Sequence, residues 1–156
     1  MIIEHITYNK LEESYSADIF MLANPHGRQG VNAMPADRSL YNYVIYDSDN
    51  ERRFARELDV CDKIAVYVKL PGSFLISTPV GKYNPDWAIA FHEGTVKHIY
   101  FIAETKGTTL LDRNELRGFE DLKIQCSKAH FAAISNDSVV YDVVDSYDKL
   151  MQVVME

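Results

Sequence analysis

The sequence predicts an α/β domain, a β-sheet with helices packed on it, and three observations carry that reading. Two short apolar runs, Asp86–Phe91 (DWAIAF) and His98–Thr105 (HIYFIAET), flank a turn-like segment, His92–Lys97, in which Gly94 can take a positive φ; together they read as an antiparallel hairpin. Upstream, Ser48 and Glu51 stand at the S-x-x-E spacing of a capping box, and Glu51, Phe54, Ala55 and Leu58 follow at i, i+3, i+4 and i+7, the stripe of an amphipathic helix. Downstream, a long helical pattern over Asn114–Ile134 leads into the buried-strand pattern of Ser138–Val144.

Each element can be justified in order. Two runs, IIEHITY and YSADIFML, read as a strand pair joined by Lys10–Ser14, and ANPHGRQGVNAMPADRS, rich in Gly, Pro, Asn and Asp, reads as a long loop serving as linker, lid or partner-binding element. In that loop His26, Arg28 and Gln29 are candidate ligand contacts, to be weighed against ordinary solvated loop residues. Residues 1–40 thus form an N-terminal strand pair and loop, packed on or linking to a core domain at 41–156. YNYVIYDS precedes the capped helix, whose Arg52, Arg53 and Arg56 lie on the side away from the apolar stripe and read as a solvated face. Ile64–Leu70 (IAVYVKL) alternates as a strand, Pro71-Gly72 punctuates, FLIS is a brief strand, and Pro79–Asn84 is a turn into the hairpin. Lys69 and Lys82 fall near one end of this arrangement, as phosphate contacts or as surface lysines. After a short loop capped by Asp112 or Asn114, the long helix directs Leu116, Phe119, Leu122, Cys126, Ala129 and Ala133 to the core. Lys123, Gln125 and His130 sit in or beside that stripe, the first two as second-line site candidates. A terminal helix over Ser146–Met155 has Ser146 as its cap.

The hairpin concentrates chemistry at one end. Side chains alternate across a strand, so Glu104 and Lys106 project on one face with Tyr100 and Ile102, while Ile99, Phe101, Ala103 and Thr105 take the other. Asp86, at the start of the first run, lies beside the end of the second. Two carboxylates and an ammonium therefore converge. Paired carboxylates hold a hard cation such as Mg²⁺, which polarises a phosphoryl oxygen, and a lysine can orient water or offset charge on the phosphate. The alternative is that Asp86 caps a strand while Glu104 and Lys106 form a solvated pair. Glu51 likewise has two readings, as the capping-box partner alone or as an acid reaching the site from the first helix.

The pattern Pro85-Asp86 followed by Glu104-Thr105-Lys106 resembles the PD-(D/E)xK nuclease superfamily, whose core has the order helix, strand, strand, strand, helix, strand. With its flanks, VIYDSDNERRFARELD, VYVKLPGSFLISTPVGKYNPDWAIAF, YFIAETKG and KIQCSKAHF, the chain resembles the C-terminal endonuclease domain of type III restriction-enzyme Res subunits, over about Tyr41–Tyr147. The resemblance implies a restriction-endonuclease-like core, a central mixed β-sheet flanked by helices. It further implies Mg²⁺-dependent hydrolysis of double-stranded DNA, with Mn²⁺ as a substitute ion. Asp86 and Glu104 would be metal ligands, Lys106 the catalytic lysine and Glu51 a helical acid. The implied partners are the Mod methyltransferase subunit and the helicase-like motor of Res, where ATP is used. This chain has no G-x-x-x-x-G-K-[ST] loop and no D-E-x-H box, and the Q-x-x-x-Y motif of some related nucleases is missing because Ala129 follows Gln125 by four.

Composition sets bounds. With 156 residues, 47% hydrophobic, the chain can bury the core of one domain, and it has no apolar run of membrane-spanning length and no signal-peptide pattern. Cys61 and Cys126 have neither zinc-site nor redox-motif spacing, and a reducing cytoplasm is expected. The net charge is −7, yet residues 51–130 hold 12 basic and 11 acidic groups, so the excess acid lies at the two ends. Such a balance predicts weak DNA binding by the domain alone, since phosphate neutralisation supplies most non-specific affinity. Two other functions compete with a nuclease of the restriction complex: a non-catalytic docking module, and a stand-alone nuclease of the same superfamily.

Overall fold

Helix α1 (Asp49–Val60) begins where the capping box places it, and its N-cap Ser48 accepts the Glu51 N–H through Oγ at 3.2 Å. In this computed structural model the chain is described at residues 31–78, 81–96, 100–105, 114–134 and 139–156. Around α1 lie β1 (Ala33–Pro35), β2 (Tyr43–Ile45), β3 (Ile64–Lys69), β4 (Ile76–Thr78), β5 (Gly81–Tyr83), β6 (Trp87–Phe91) and β7 (Tyr100–Thr105). Helix α2 (Asn114–Ile134), β8 (Val139–Val144) and α3 (Tyr147–Met155) complete the order. The N-terminal strand pair expected over residues 2–22 and the loop residues His26, Arg28 and Gln29 lie outside the described residues.

The central sheet has the order β3-β6-β7-β8. Its first two pairings are antiparallel and the β7–β8 pairing is parallel, with Ile102 against Tyr141 and Glu104 against Val143. The sheet is therefore mixed. A parallel neighbour requires a crossover, and α2 supplies it. Gly94 turns the β6–β7 hairpin with φ +77°.

The alternation read from the hairpin separates two apolar layers. Phe101 and Ala103 join Trp87, Ile89, Phe91 and Val144 beneath α1 and α3, where Phe54, Leu58, Leu150 and Val154 close the main core. The opposite face holds a smaller cluster of Ile76, Tyr83, Phe131 and Tyr141, with Ile102 and Ile124 packed against it. Cys61 and Cys126 are buried and unbridged.

Three local readings change. Ala33–Pro35, inside the expected long loop, pairs with Tyr43–Ile45 as a small ribbon. The chain after it is anchored by Asp59, whose carboxylate accepts the N–H groups of Asp37 and Arg38. The expected turn over Pro79–Asn84 contains a strand, because Gly81 takes φ +117° and the chain returns with Tyr83 beside Ile76. Among the α2 side chains described, Cys126, Ser127 and Phe131 are buried while Leu122, Ala129 and Ala133 are exposed; Leu116 and Phe119, also expected in the core, lie outside the described side chains. The helix is rotated from the expected stripe so that Phe131 can stack on Tyr141, ring centroids 5.1 Å apart at 12°. Among the described residues no helix is long and apolar enough to cross a membrane.

Candidate active site

The end of β7 and the bend before β6 bring acidic groups together from three elements. Asp86 is not in the ladder itself but immediately precedes it, and its carbonyl accepts the Leu70 N–H at 2.7 Å. Carrying the Trp87–Ala103 register one step further sets Asp86 across from Glu104. Its Oδ2 accepts both the N–H and the Oγ1–H of Thr105, at 2.7 and 2.8 Å. Thr105 Oγ1 in turn accepts the Trp87 indole N–H at 3.2 Å, so a core tryptophan, a threonine and a site carboxylate are joined in one chain of hydrogen bonds. Burial pushes the Asp86 carboxyl above its ordinary range; the Thr105 bonds and Lys69 oppose this, and the Glu51 charge adds to it.

Glu104 is buried, 8% exposed, which removes the reading of a solvated surface pair for this residue. The Tyr83 hydroxyl donates to Glu104 Oε2 at 2.6 Å and lies 2.5 Å from the Tyr141 hydroxyl. Burial first, then the Glu104 charge, raises Tyr83 well above the usual phenol range. Tyr141 is raised chiefly by burial too, with Glu104 and Asp86 contributing. Both phenols are therefore neutral donors at ordinary pH.

Glu51 does more than cap. Its Oε2 accepts the Asp47 N–H at 2.8 Å, one residue outside the usual capping-box target, and also the Lys69 ammonium at 2.6 Å. Lys69 reaches Asp47 Oδ2 at the same distance. It is not a solvated surface lysine, because its side chain is only 20% exposed. Burial disfavours its charge, but the bonds to Asp47 and Glu51 outweigh that and hold its pKa above the ordinary lysine value. Lys69→Met should cost about 1–2 kcal/mol in urea unfolding, since it leaves the largely buried Glu51 without its cation. An unchanged midpoint would show that the pair contributes nothing.

Lys106, the candidate catalytic lysine, lies outside the described residues. Of the remaining candidates, Lys82 and Gln125 are exposed, and Arg52, Arg53 and Arg56 form the solvated face of α1. Lys123 approaches β5, its Cε lying 3.9 Å from where a Cβ on Gly81 would stand. His130 packs edge-on against Phe131, and burial lowers its pKa. Sequence reasoning missed Asp47, Tyr83, Thr105 and Tyr141. A signal for Tyr141 did exist: a tyrosine inside the apolar strand VVYDVV must find a partner for its hydroxyl.

Asp47 and Glu51 thus pair with Lys69, and Asp86, which senses the charges of both Glu51 and Lys69, stands across from Glu104. Among the described residues no three His, Cys, Asp or Glu side chains are grouped as a metal cluster. Asp86 and Glu104 nevertheless supply hard oxygen donors of the kind Mg²⁺ takes, one or two carboxylates with water and substrate phosphate completing the shell. The hydrogen bonds that the Thr105 N–H and Oγ1–H give to the Asp86 carboxylate both arrive at Oδ2. The donor set fits such an ion.

A family model described as an endonuclease domain matches residues 37–147. The chain is 31% identical over 128 residues, 80% of its length, to the Res subunit of the type III restriction-modification enzyme EcoPI of Escherichia phage P1. To the Res subunit of EcoP15I of Escherichia coli it is 32% identical over 130 residues, 81% of its length. The matched part is 12% of the length of each of these relatives. No solved structure matches the chain.

Proposed function

This chain belongs to the endonuclease-domain family and is related to type III Res subunits, and from that premise we propose that it hydrolyses DNA phosphodiester bonds in an Mg²⁺-dependent reaction. The observation that carries the reading is Asp86 and Glu104 standing across from each other at the end of the hairpin, each turned to a fixed donor. Mg²⁺, when bound there, supplies Lewis acidity toward a phosphoryl oxygen and offsets its charge. Asp86 and Glu104 would hold the ion. Thr105 and Tyr83 fix the two carboxylates before substrate arrives, so that little reorganisation is left to the reaction. Glu51, held by Lys69 and sensed electrostatically by Asp86, is the helical acid at the edge of the site. Lys106, as the family's catalytic lysine, would offset charge on the phosphate.

Acidic crowding gives a physical reason for the metal. A phosphodiester approaching the Asp86 and Glu104 carboxylates would be repelled by them until a divalent cation is present. For the same reason the domain is expected to cleave poorly alone. Mod and a helicase-like motor, in a cytoplasmic enzyme using ATP elsewhere in its chain, would deliver double-stranded DNA to it.

Titration of Mg²⁺ or Mn²⁺ tests the reading. Binding that is absent, or that survives Asp86→Ala and Glu104→Ala unchanged, removes this site and favours a non-catalytic docking module. Lys106→Ala should leave metal binding intact while lowering cleavage by the assembled complex roughly 10²-fold or more, the loss expected when one stabilising group is removed from the transition state. Equal rates would take Lys106 out of the mechanism.

A further inference from the structure

Glu104 is reached from outside the β6–β7 hairpin by the Tyr83 phenol, which in turn meets the Tyr141 phenol of a different element. Tyr83 belongs to the β4–β5 ribbon, which is not part of the central sheet. Tyr141 belongs to β8, two residues before Val143, the register partner of Glu104, and so shares its face. Their rings meet edge to face, centroids 6.2 Å apart, and Phe131 from α2 stacks on Tyr141. The direction of the hydrogen bonds follows from donor counting. Each phenol has one proton, and an ionised carboxylate only accepts. Tyr83 gives its proton to Glu104 Oε2, so the hydrogen in the contact between the two hydroxyls must come from Tyr141. The chain runs Tyr141 to Tyr83 to Glu104.

From this geometry we infer that Tyr83, itself oriented by Tyr141, is the positioning residue for the Glu104 carboxylate. A carboxylate at a strand end can rotate about its terminal torsion, which is broad. Donation to Oε2 from a ring locked in the Ile76–Phe131 cluster removes that freedom. The ribbon carrying Tyr83 therefore serves the site as well as the core. This inference rests on the metal-site reading in so far as the fixed carboxylate is a ligand, while the fixing itself is a property of the metal-free protein.

The test uses Tyr83→Phe, Tyr141→Phe and the double variant of the full chain, all of which keep the rings and remove only hydroxyls. Without metal, the ¹³C resonance of the Glu104 carboxyl should move in Tyr83→Phe and, by less, in Tyr141→Phe. The Tyr141 effect should vanish on the Tyr83→Phe background, because Tyr141 acts through Tyr83. By Mg²⁺ calorimetry, Tyr83→Phe should weaken binding about 10–100-fold, the range for groups that orient a ligand, and the double variant should match it. An unmoved Glu104 resonance in Tyr83→Phe overturns the inference, as do additive effects of the two substitutions. Wild type that binds no Mg²⁺ while the resonances shift as stated refutes the metal-site reading and supports the positioning of Glu104. Should Tyr83→Phe fail to fold, Tyr141→Phe still decides: a resonance and an affinity both equal to wild type overturn the relay.

Discussion

Asp86→Asn should raise the melting temperature of the metal-free protein at neutral pH and, at the same time, abolish its stabilisation by Mg²⁺. Burial, opposed by Thr105 and Lys69 but aided by Glu51, raises the Asp86 pKa in the fold. The folded chain then holds this proton more tightly than the unfolded chain does. The stability that Asp86 contributes therefore falls as pH rises from the ordinary aspartate range through the raised value. At neutral pH the charge is a net cost to the fold. Asparagine removes the charge and keeps an oxygen to accept from the Thr105 N–H, so the gain in melting temperature should shrink as pH is lowered. Metal linkage runs the other way. Wild type at 100 times its Kd should gain about 2.7 kcal/mol, roughly 5–10 °C for a domain of this size, and the variant far less. Cleavage should fall by several kcal/mol of lost Lewis-acid stabilisation, on the order of a thousandfold at about 1.4 kcal/mol per decade. Melting curves from about pH 3 to pH 8, with and without Mg²⁺, check both halves. A variant less stable than wild type at neutral pH would refute the electrostatic account, and an undiminished Mg²⁺ shift would refute Asp86 as a ligand.

Trp87→Ala should destabilise the protein by about 3–5 kcal/mol, a large share of the 5–15 kcal/mol typical of a domain. Trp87 is fully buried, with its ring 5.6 Å from Phe54 and 6.3 Å from Tyr67, so it joins α1 to the central sheet. The surroundings of a strand residue between a helix and its own sheet can collapse only partly, and the cavity adds to the lost transfer energy. Trp87→Phe keeps most of the ring contacts but loses the indole N–H to Thr105, and should cost about 1–2 kcal/mol. Urea unfolding with an unchanged slope measures both. A loss below about 1 kcal/mol for alanine would mean that Trp87 does not hold the layers together. Because Thr105 also donates to Asp86, the phenylalanine variant should weaken Mg²⁺ binding more than its stability loss suggests.

Much of this was legible because short-range rules decide it. The capped helix over Asp49–Val60 follows from spacing and capping chemistry, and α2 from its helical pattern. So does the β6–β7 hairpin with its positive-φ glycine. The side-chain faces of β7 follow from the strand period, which is why Phe101 and Ala103 were correctly set apart from Ile102 and Glu104. The rotation of α2 was not legible: Leu122 and Phe131 compete for the core on similar hydrophobicity, and only the stacking partner on β8 selects Phe131. Nor was the fate of Lys69, which resembles any strand-end lysine until α1 brings Asp47 and Glu51 to it.

Local rules in the sequence, then, settled the capped helix, the pairing of the hairpin strands and the place of Asp86 and Glu104 at their shared end, because turn chemistry and a two-residue period act within a few positions of the chain. Only the tertiary structure decided what those carboxylates touch. Thr105 on Asp86, Tyr83 on Glu104 with Tyr141 behind it, and Lys69 on Glu51 are contacts between atoms made neighbours by the packing of separate elements. Burial then pushes the Asp86 carboxyl above its ordinary range, because the cost of a charge depends on the water and partners left around it.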